Sequence, residues 1–127
     1  MADPTESWLA TEPAPLHAIN ALQRAVPSLP ISYLALLSRG NGGETPLSVS
    51  PYNFCLDSAE SALDYWNSGT YTLKNVFIFG GNGGGEVLAM DMRLQQPWPI
   101  ICFDPIDPDG STERVANDFA SFLSLIE

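Results

Sequence analysis

A glycine-rich segment carries the residue types of a phosphate-binding loop. It covers residues 80–86, with the sequence GGNGGGE, and lies between apolar runs at 76–79 and 87–90. A Walker loop places Lys and then Ser or Thr after its last glycine, but Glu86 stands there and would repel phosphate. A dinucleotide-binding loop opens a helix, whereas residues 87–90 read as a strand. The segment therefore predicts a structural β-hairpin and no nucleotide.

The single histidine and the two cysteines offer little chemistry. His17 is the only histidine, and no nucleophile-elbow pattern accompanies it. Cys55 and Cys102 both lie in apolar, strand-like runs. Without an export signal, two such cysteines are expected to be reduced and buried rather than joined in a disulfide. We therefore predict no catalytic residue and no enzyme activity.

Acidic residues form two patterns that suggest chemistry but do not fit it. Asp104, Asp107 and Asp109 resemble a calcium loop, yet no register places ligands at positions 1, 3, 5 and 12 with glycine at position 6. Glu86 and Asp91 would point to opposite faces of a regular strand, because side-chain direction alternates. From this pair we expect hydrogen bonds at a turn and a strand end. No metal or other cofactor is predicted.

The elements that position these residues begin with two helices. Residues 1–14 lack apolar periodicity and are expected to form a flexible arm, which leaves residues 15–127 as a single domain. The first helix starts at Pro15, where a missing N–H costs nothing. The second has Ser28 as its predicted N-cap and Gly40 as the glycine after its last turn.

The middle of the chain predicts a strand and a helix. Alternating apolar residues at 47–56 indicate a strand that Pro51 interrupts or places at an edge. Asp57 and Glu60 fit a capping box, with Asp57 as the N-cap and Glu60 reaching back to it. The helix that follows is expected to bury Trp66.

The last part of the chain predicts a strand, an acidic turn and a closing helix. Apolar residues at 100–103 indicate a strand after the hairpin, and the proline-stiffened turn at 104–110 follows. Residues 113–116 are expected to be extended. Asp118 is the predicted N-cap of the closing helix, just before its apolar stripe.

The charge of the chain restricts its partners. Five basic and fifteen acidic residues give a formal net charge of −10 over 127 residues. This charge disfavours nucleic acid and anionic membranes, and it favours a basic protein partner. No stretch approaches a membrane span, and the first residues lack the basic start and apolar core of a signal peptide. A cytoplasmic location is therefore expected.

Short motifs occur in a defined order along residues 16–127. Their members are Pro30, Tyr33, Asn41, Gly42, Gly80, Gly84, Gly85, Glu86, Asp91, Phe119 and Phe122. In this order and spacing the chain resembles the SUKH superfamily, which includes fungal cell-wall assembly and killer-toxin-resistance regulators and many bacterial immunity proteins. The resemblance implies an α+β domain: a central, mainly antiparallel sheet flanked by N-terminal helices, a middle helix and a C-terminal helix. It implies structural roles for these motif residues and supplies no partner-binding residue.

The resemblance also implies a function. We expect an immunity protein that binds and neutralises a cognate bacterial toxin stoichiometrically, and the acidic charge fits a basic, nuclease-type toxin. The alternative is a regulatory or scaffolding module like the fungal members; the sequence leaves monomer and dimer open. Three acids share a predicted helix face and three lie in the stiffened turn, which makes these the predicted partner-binding residues: Asp57, Glu60, Asp64, Asp104, Asp107 and Asp109.

Overall fold

The predicted strands assemble into one antiparallel sheet. The computed structural model describes residues 8–69 and 73–126. Within them, six strands lie side by side in chain order, and each pairs antiparallel with the next. They are β1 (Gly43–Pro46), β2 (Asn53–Leu56), β3 (Val76–Gly81), β4 (Val87–Asp91), β5 (Ile100–Phe103) and β6 (Glu113–Ala116).

Five helices accompany the sheet among the described residues. They are α1 (Leu16–Ala25), α2 (Ile31–Arg39), α3 (Ala59–Ser68), α4 (Pro108–Ser111) and α5 (Phe119–Leu123). The first helix packs against α2 and α3, while α3 packs against β3. The closing helix α5 contacts β6 and α2. The predicted α+β fold with an antiparallel sheet is therefore confirmed.

The glycine-rich segment is a β-hairpin, as predicted. β3 and β4 pair along their length, with one shift in register between Ile78 and Gly80. A Cβ atom at position 80 would overlap the carbonyl oxygen of Cys55 and the ring of Phe54. Gly80 therefore allows β2 to lie close to β3, because only a residue without a side chain fits there.

Both faces of the sheet centre are apolar, which explains why β3, β4 and β5 read as continuous apolar runs. The face that carries α1, α2, α3 and α5 holds the main core. Its largest fully buried rings are Tyr33, Phe54, Phe77, Phe79, Phe119 and Phe122. The opposite face carries a second buried cluster: Leu73, Val76, Ile78, Ala89, Ile101 and Phe103.

The closing helix completes the aromatic core. Phe119 lies 5.4 Å from Tyr33 between ring centroids, and Phe122 lies 4.9 Å from Phe54, both edge to face. Asp118 is the N-cap of α5, as predicted, and its carboxylate accepts a backbone N–H at 2.7 Å. The extended segment predicted before it is β6.

Two predicted features of α2 are wrong. The helix begins after Pro30, whose φ of −58° suits the position before a helix, while the Ser28 carbonyl accepts a hydrogen bond from Gln96 Nε2 at 2.9 Å. Gly40 follows α2 with φ −165°, which is extended rather than left-handed. A Cβ atom there would approach the Ala10 carbonyl oxygen to 2.6 Å, so this glycine makes room for the N-terminal segment.

Residues 8–14, part of the predicted arm, lie against this glycine. Leu9 forms a β-bridge with Gly43, and the Ala14 N–H donates to the Leu37 carbonyl at 2.9 Å. Backbone hydrogen bonds of this kind fix a segment that has no apolar periodicity of its own. Residues 1–7 of the predicted arm lie outside the described residues.

The predicted strand at 47–56 is wrong in its first half. Only Asn53–Leu56 form β2, and residues 47–52 connect β1 to β2. Pro46 and Pro51 have no N–H to donate, so this stretch cannot form an uninterrupted ladder. Leu47 is nevertheless buried in the main core, and its backbone bridges to Ile126 at the other end of the chain.

Candidate protein-interaction surface

Asn41 joins the loop after α2 to the start of α3. Its Oδ1 accepts a hydrogen bond from the Ala59 N–H at 2.8 Å, and its Nδ2 donates to Glu60 Oε1 at 2.9 Å. The bond from Asn41 lowers the pKa of Glu60 below its ordinary value, and nearby His17 adds to the effect. Glu60 is exposed, and its Oε1 atom accepts the hydrogen bond that holds this loop.

Of the three acids predicted to share the first acidic face, only Glu60 and Asp64 are exposed residues of α3. The N-cap of α3 is Ser58, whose hydroxyl accepts a backbone N–H at 3.1 Å, so the predicted capping box with Asp57 is wrong. Asp57 is half-buried before the helix, and burial raises its pKa. Burial and the charge of Asp57 together raise the pKa of Tyr33.

The second predicted acidic site, the turn at 104–109, is fixed by hydrogen bonds from within. Asp104 Oδ1 accepts from the Ile106 N–H at 2.9 Å, and Asp107, the N-cap of α4, accepts from the Gly110 N–H at 3.3 Å. The Ser111 hydroxyl accepts from the Asp104 N–H and donates to the Asp107 carbonyl, both at 2.7 Å. The backbone that carries the carboxylates of this turn is therefore held in one conformation by hydrogen bonds.

An apolar side chain that the sequence analysis missed lies in this turn. Ile106 is 93% exposed, more than any other large apolar side chain in the described part of the chain. Asp109 is also exposed. Hydrogen bonding to Asp91, and less strongly the charge of Asp109, raises the pKa of Arg93, so Asp109 is partly compensated. The exposure of Ile106 could have been predicted from its position between two Asp-Pro pairs, where no helix or strand can bury it.

In the glycine-rich segment, Asn82 bonds to the motif residues Gly84 and Glu86 and holds the turn of the hairpin. Asn82 Oδ1 accepts from the N–H groups of Gly84 and Glu86 at 2.8 and 3.1 Å, and Asn82 Nδ2 donates to Glu86 Oε1 at 3.1 Å. Gly83 and Gly85 adopt φ of 79° and 107°, which favours glycine. The N–H groups of Gly84 and Glu86 are therefore occupied by Asn82 and do not point to a phosphate.

Asp91 anchors the turn that follows β4. Its buried carboxylate accepts from Arg93 Nε at 2.8 Å and from Arg93 Nη2 at 3.0 Å, and the Arg93 backbone N–H donates to it at 3.1 Å. Burial alone would raise the pKa of Asp91, but the bonds from Arg93 and the charge of Arg114 bring it below its ordinary value. Because Glu86 precedes β4 and Asp91 ends it, the two carboxylates do not share a site.

Both cysteines are free and their thiols are held protonated. Burial, followed by the charges of Glu86 and Glu113, raises the pKa of Cys102 to about 12. Burial and the neighbouring Glu44 raise the pKa of Cys55. Since the thiolate is the nucleophile, neither side chain is suited to covalent catalysis at neutral pH.

Across residues 8–69 and 73–126, no three His, Cys, Asp or Glu side chains form a group that could hold a metal ion. The same part of the chain contains no helix with the length and apolar character needed to cross a membrane. The described residues present exposed carboxylates on a backbone that hydrogen bonds hold in place.

These features define a class: a small α+β domain with an antiparallel sheet, helices packed against it and a strongly acidic composition. The chain belongs to the SMI1 / KNR4 family (SUKH-1), whose model matches residues 13–125. The predicted membership of the SUKH superfamily is thus confirmed. No curated protein gives a significant match to the chain. The family is consistent with an immunity-type or regulatory module that acts through protein–protein interaction.

Proposed function

We propose that this protein is an immunity protein that binds a cognate bacterial toxin in the cytoplasm and neutralises it in a stoichiometric complex. The toxin is proposed to be basic and of the nuclease type, so that carboxylates of the immunity protein lie where nucleic-acid phosphates would lie. The protein acts by binding rather than by turnover. The observation that carries the proposal is the acidic turn at 104–109 with Ile106 exposed on it.

An exposed apolar side chain among carboxylates has the composition of an interface centre and its rim. Buried apolar anchors supply much of the binding energy in an interface, while rim charges speed association with a partner of opposite charge. The internal hydrogen bonds of the turn reduce the entropy lost on binding. Glu60 and Asp64 add exposed charge elsewhere, and half-buried Asp57 adds little surface.

Co-expression with the product of the neighbouring gene tests the function. We expect the pair to co-purify at equal stoichiometry and growth to be rescued from a toxic neighbour. If the neighbour is harmless and the protein binds an endogenous partner instead, the regulatory or scaffolding alternative is correct.

Charge neutralisation tests the site. Replacing Asp104, Asp107 and Asp109 together with Asn keeps the Oδ1 acceptors of the turn and removes three charges. We expect association with the toxin to slow by about tenfold at low salt, with a flatter salt dependence. The control, E60Q with D64N, removes two exposed charges from α3 and should change the rate much less. An unchanged rate and salt slope in the triple variant would refute the turn as the contact site while leaving the immunity function intact.

A further inference from the structure

The first edge of the sheet is covered. At one end of β1, Leu9 bridges Gly43. At the other end, the Ser48 N–H donates to the Leu125 carbonyl at 2.8 Å. Between these contacts lies Pro46, which has no N–H to offer. An incoming strand therefore finds little room and few free donors along β1.

β6 forms the opposite edge of the sheet, and it is open as far as the described residues go. Among residues 8–69 and 73–126, no segment pairs with the outer side of β6. A groove of about 350 Å³ runs beside it toward α5. Its lining residues are Arg114, Val115, Ala116, Asn117, Ser121, Ser124 and Leu125. An unpaired edge with a groove at its side is a template for an added strand, with main-chain bonds for affinity and pockets for alternate side chains.

The charge around this edge indicates which strand it fits. Residues 104–118 contain one basic side chain, Arg114, against five acidic ones: Asp104, Asp107, Asp109, Glu113 and Asp118. The acidic turn leads directly into β6 through α4. A second copy of this chain is a poor occupant, because pairing would bring together two molecules of charge −10. A basic segment meets attraction instead.

We propose that the open edge of β6 docks an extended, basic segment of the partner protein, which joins the sheet as an additional strand. Its apolar side chains enter the groove beside Val115 and Leu125, and its cationic side chains lie toward the acidic turn. The proposal rests on the proposed function, since the partner it names is the basic toxin.

A defined peptide tests the edge without the toxin. The probe is an acetylated, amidated peptide of four Lys-Val repeats, and the control is its Glu-Val counterpart. In amide-resolved NMR titrations we expect the Lys-Val peptide to shift residues 113–117 and 121–125 and to slow amide exchange in β6. The control should shift neither region. Shifts at β1, shifts spread over the acidic residues of α3, or no binding at millimolar peptide would each overturn the proposal.

A proline variant tests the edge in the complex. Val115 lies at the irregularity between the pairs Ile101–Arg114 and Ile100–Ala116, so it has no assigned partner and is the β6 position where proline disturbs the ladder least. We expect V115P to bind the toxin at least about tenfold more weakly, the loss of one or two main-chain bonds. V115T keeps the N–H and exchanges one methyl of the groove for a hydroxyl, so it should lose much less affinity than V115P.

The outcomes separate this proposal from the proposed function. Folded V115P with unchanged toxin affinity overturns the edge assignment and leaves the immunity function standing. A wild-type protein that binds no toxin overturns the function, while the peptide titration still decides whether the edge accepts a basic strand. If V115P does not fold, the titration decides alone. A concentration-dependent dimer with β6 at its interface would mean that a second copy occupies the edge, and this result also overturns the proposal.

Discussion

Replacing Gly80 with Ala tests whether the glycine-rich hairpin is a structural device. The added Cβ would overlap the Cys55 carbonyl oxygen and lie 2.8 Å from Phe54 Cε1. Neither neighbour can yield easily. The carbonyl belongs to the backbone of β2, and Phe54 is fully buried with its ring 4.9 Å from that of Phe122.

The expected cost follows from these contacts. Overpacking a core costs about 1–3 kcal/mol, and a lost main-chain bond adds about 0.5–1.5 kcal/mol. The ladder between β2 and β3 has only the pairs Cys55–Gly81 and Leu56–Gly80. Because the ladder is this short, displacing β2 weakens a large part of its pairing with β3. We therefore expect G80A to lower the free energy of unfolding by about 3 kcal/mol.

Two other glycines provide matched controls. Gly84 has a backbone that any residue adopts, and a Cβ there would make only an ordinary contact of 3.6 Å with Asn82 Oδ1, so G84A should change stability by less than about 0.5 kcal/mol. Gly69 has φ of 60° and open space around it, so G69A should cost about 1 kcal/mol through backbone strain alone. Urea unfolding followed by tryptophan fluorescence measures all three. Equal losses in G80A and G84A would refute the steric explanation.

Two further predictions concern the core and a half-buried acid. F122A should lower the free energy of unfolding by about 3–5 kcal/mol, because Phe122 is fully buried against Phe54 and Phe79; a loss below about 1 kcal/mol in urea titration would contradict the position of α5. D57N should raise it by about 1 kcal/mol at pH 7, because no described residue hydrogen-bonds the partly desolvated Asp57 carboxylate. Since the folded-state pKa of Asp57 lies above its unfolded value, the wild type loses stability as pH rises through the folded pKa, and the gain from D57N should vanish in acid. Urea titrations from pH 7 to pH 3 check this, and a gain that does not depend on pH would contradict it.

The parts of the fold that sequence predicted are those that depend on local pattern. The hairpin of β3 and β4 follows from two apolar runs around glycines. The start of α5 follows from Asp118, whose carboxylate bonds a backbone N–H within the next turn. In each case the deciding interaction lies within a few residues along the chain, where spacing is visible.

The errors share a different cause. Gly40 resembles a helix-ending glycine, but its role is set by Ala10, thirty positions earlier in the chain. Glu60 fits a capping box, but Asn41 binds it from another loop. Ile106 occurs in a stretch that predicts an ordinary turn, and its nearly complete exposure is a property of the folded structure. Long-range contacts and solvent exposure decide these positions, and neither is encoded in local spacing.

The distribution of hydrogen bonds separates residues that hold the fold from residues free to meet a partner. Asn41 and Asp91 each fix a loop through several bonds at once, so their substitution should cost stability whatever the protein binds. Ile106 and Asp109 are exposed side chains of the turn at 104–109. Changes at such positions alter binding at little cost in stability. A domain arranged in this way can exchange one partner for another by changing its surface, because the bonds that keep the sheet and helices in place lie elsewhere.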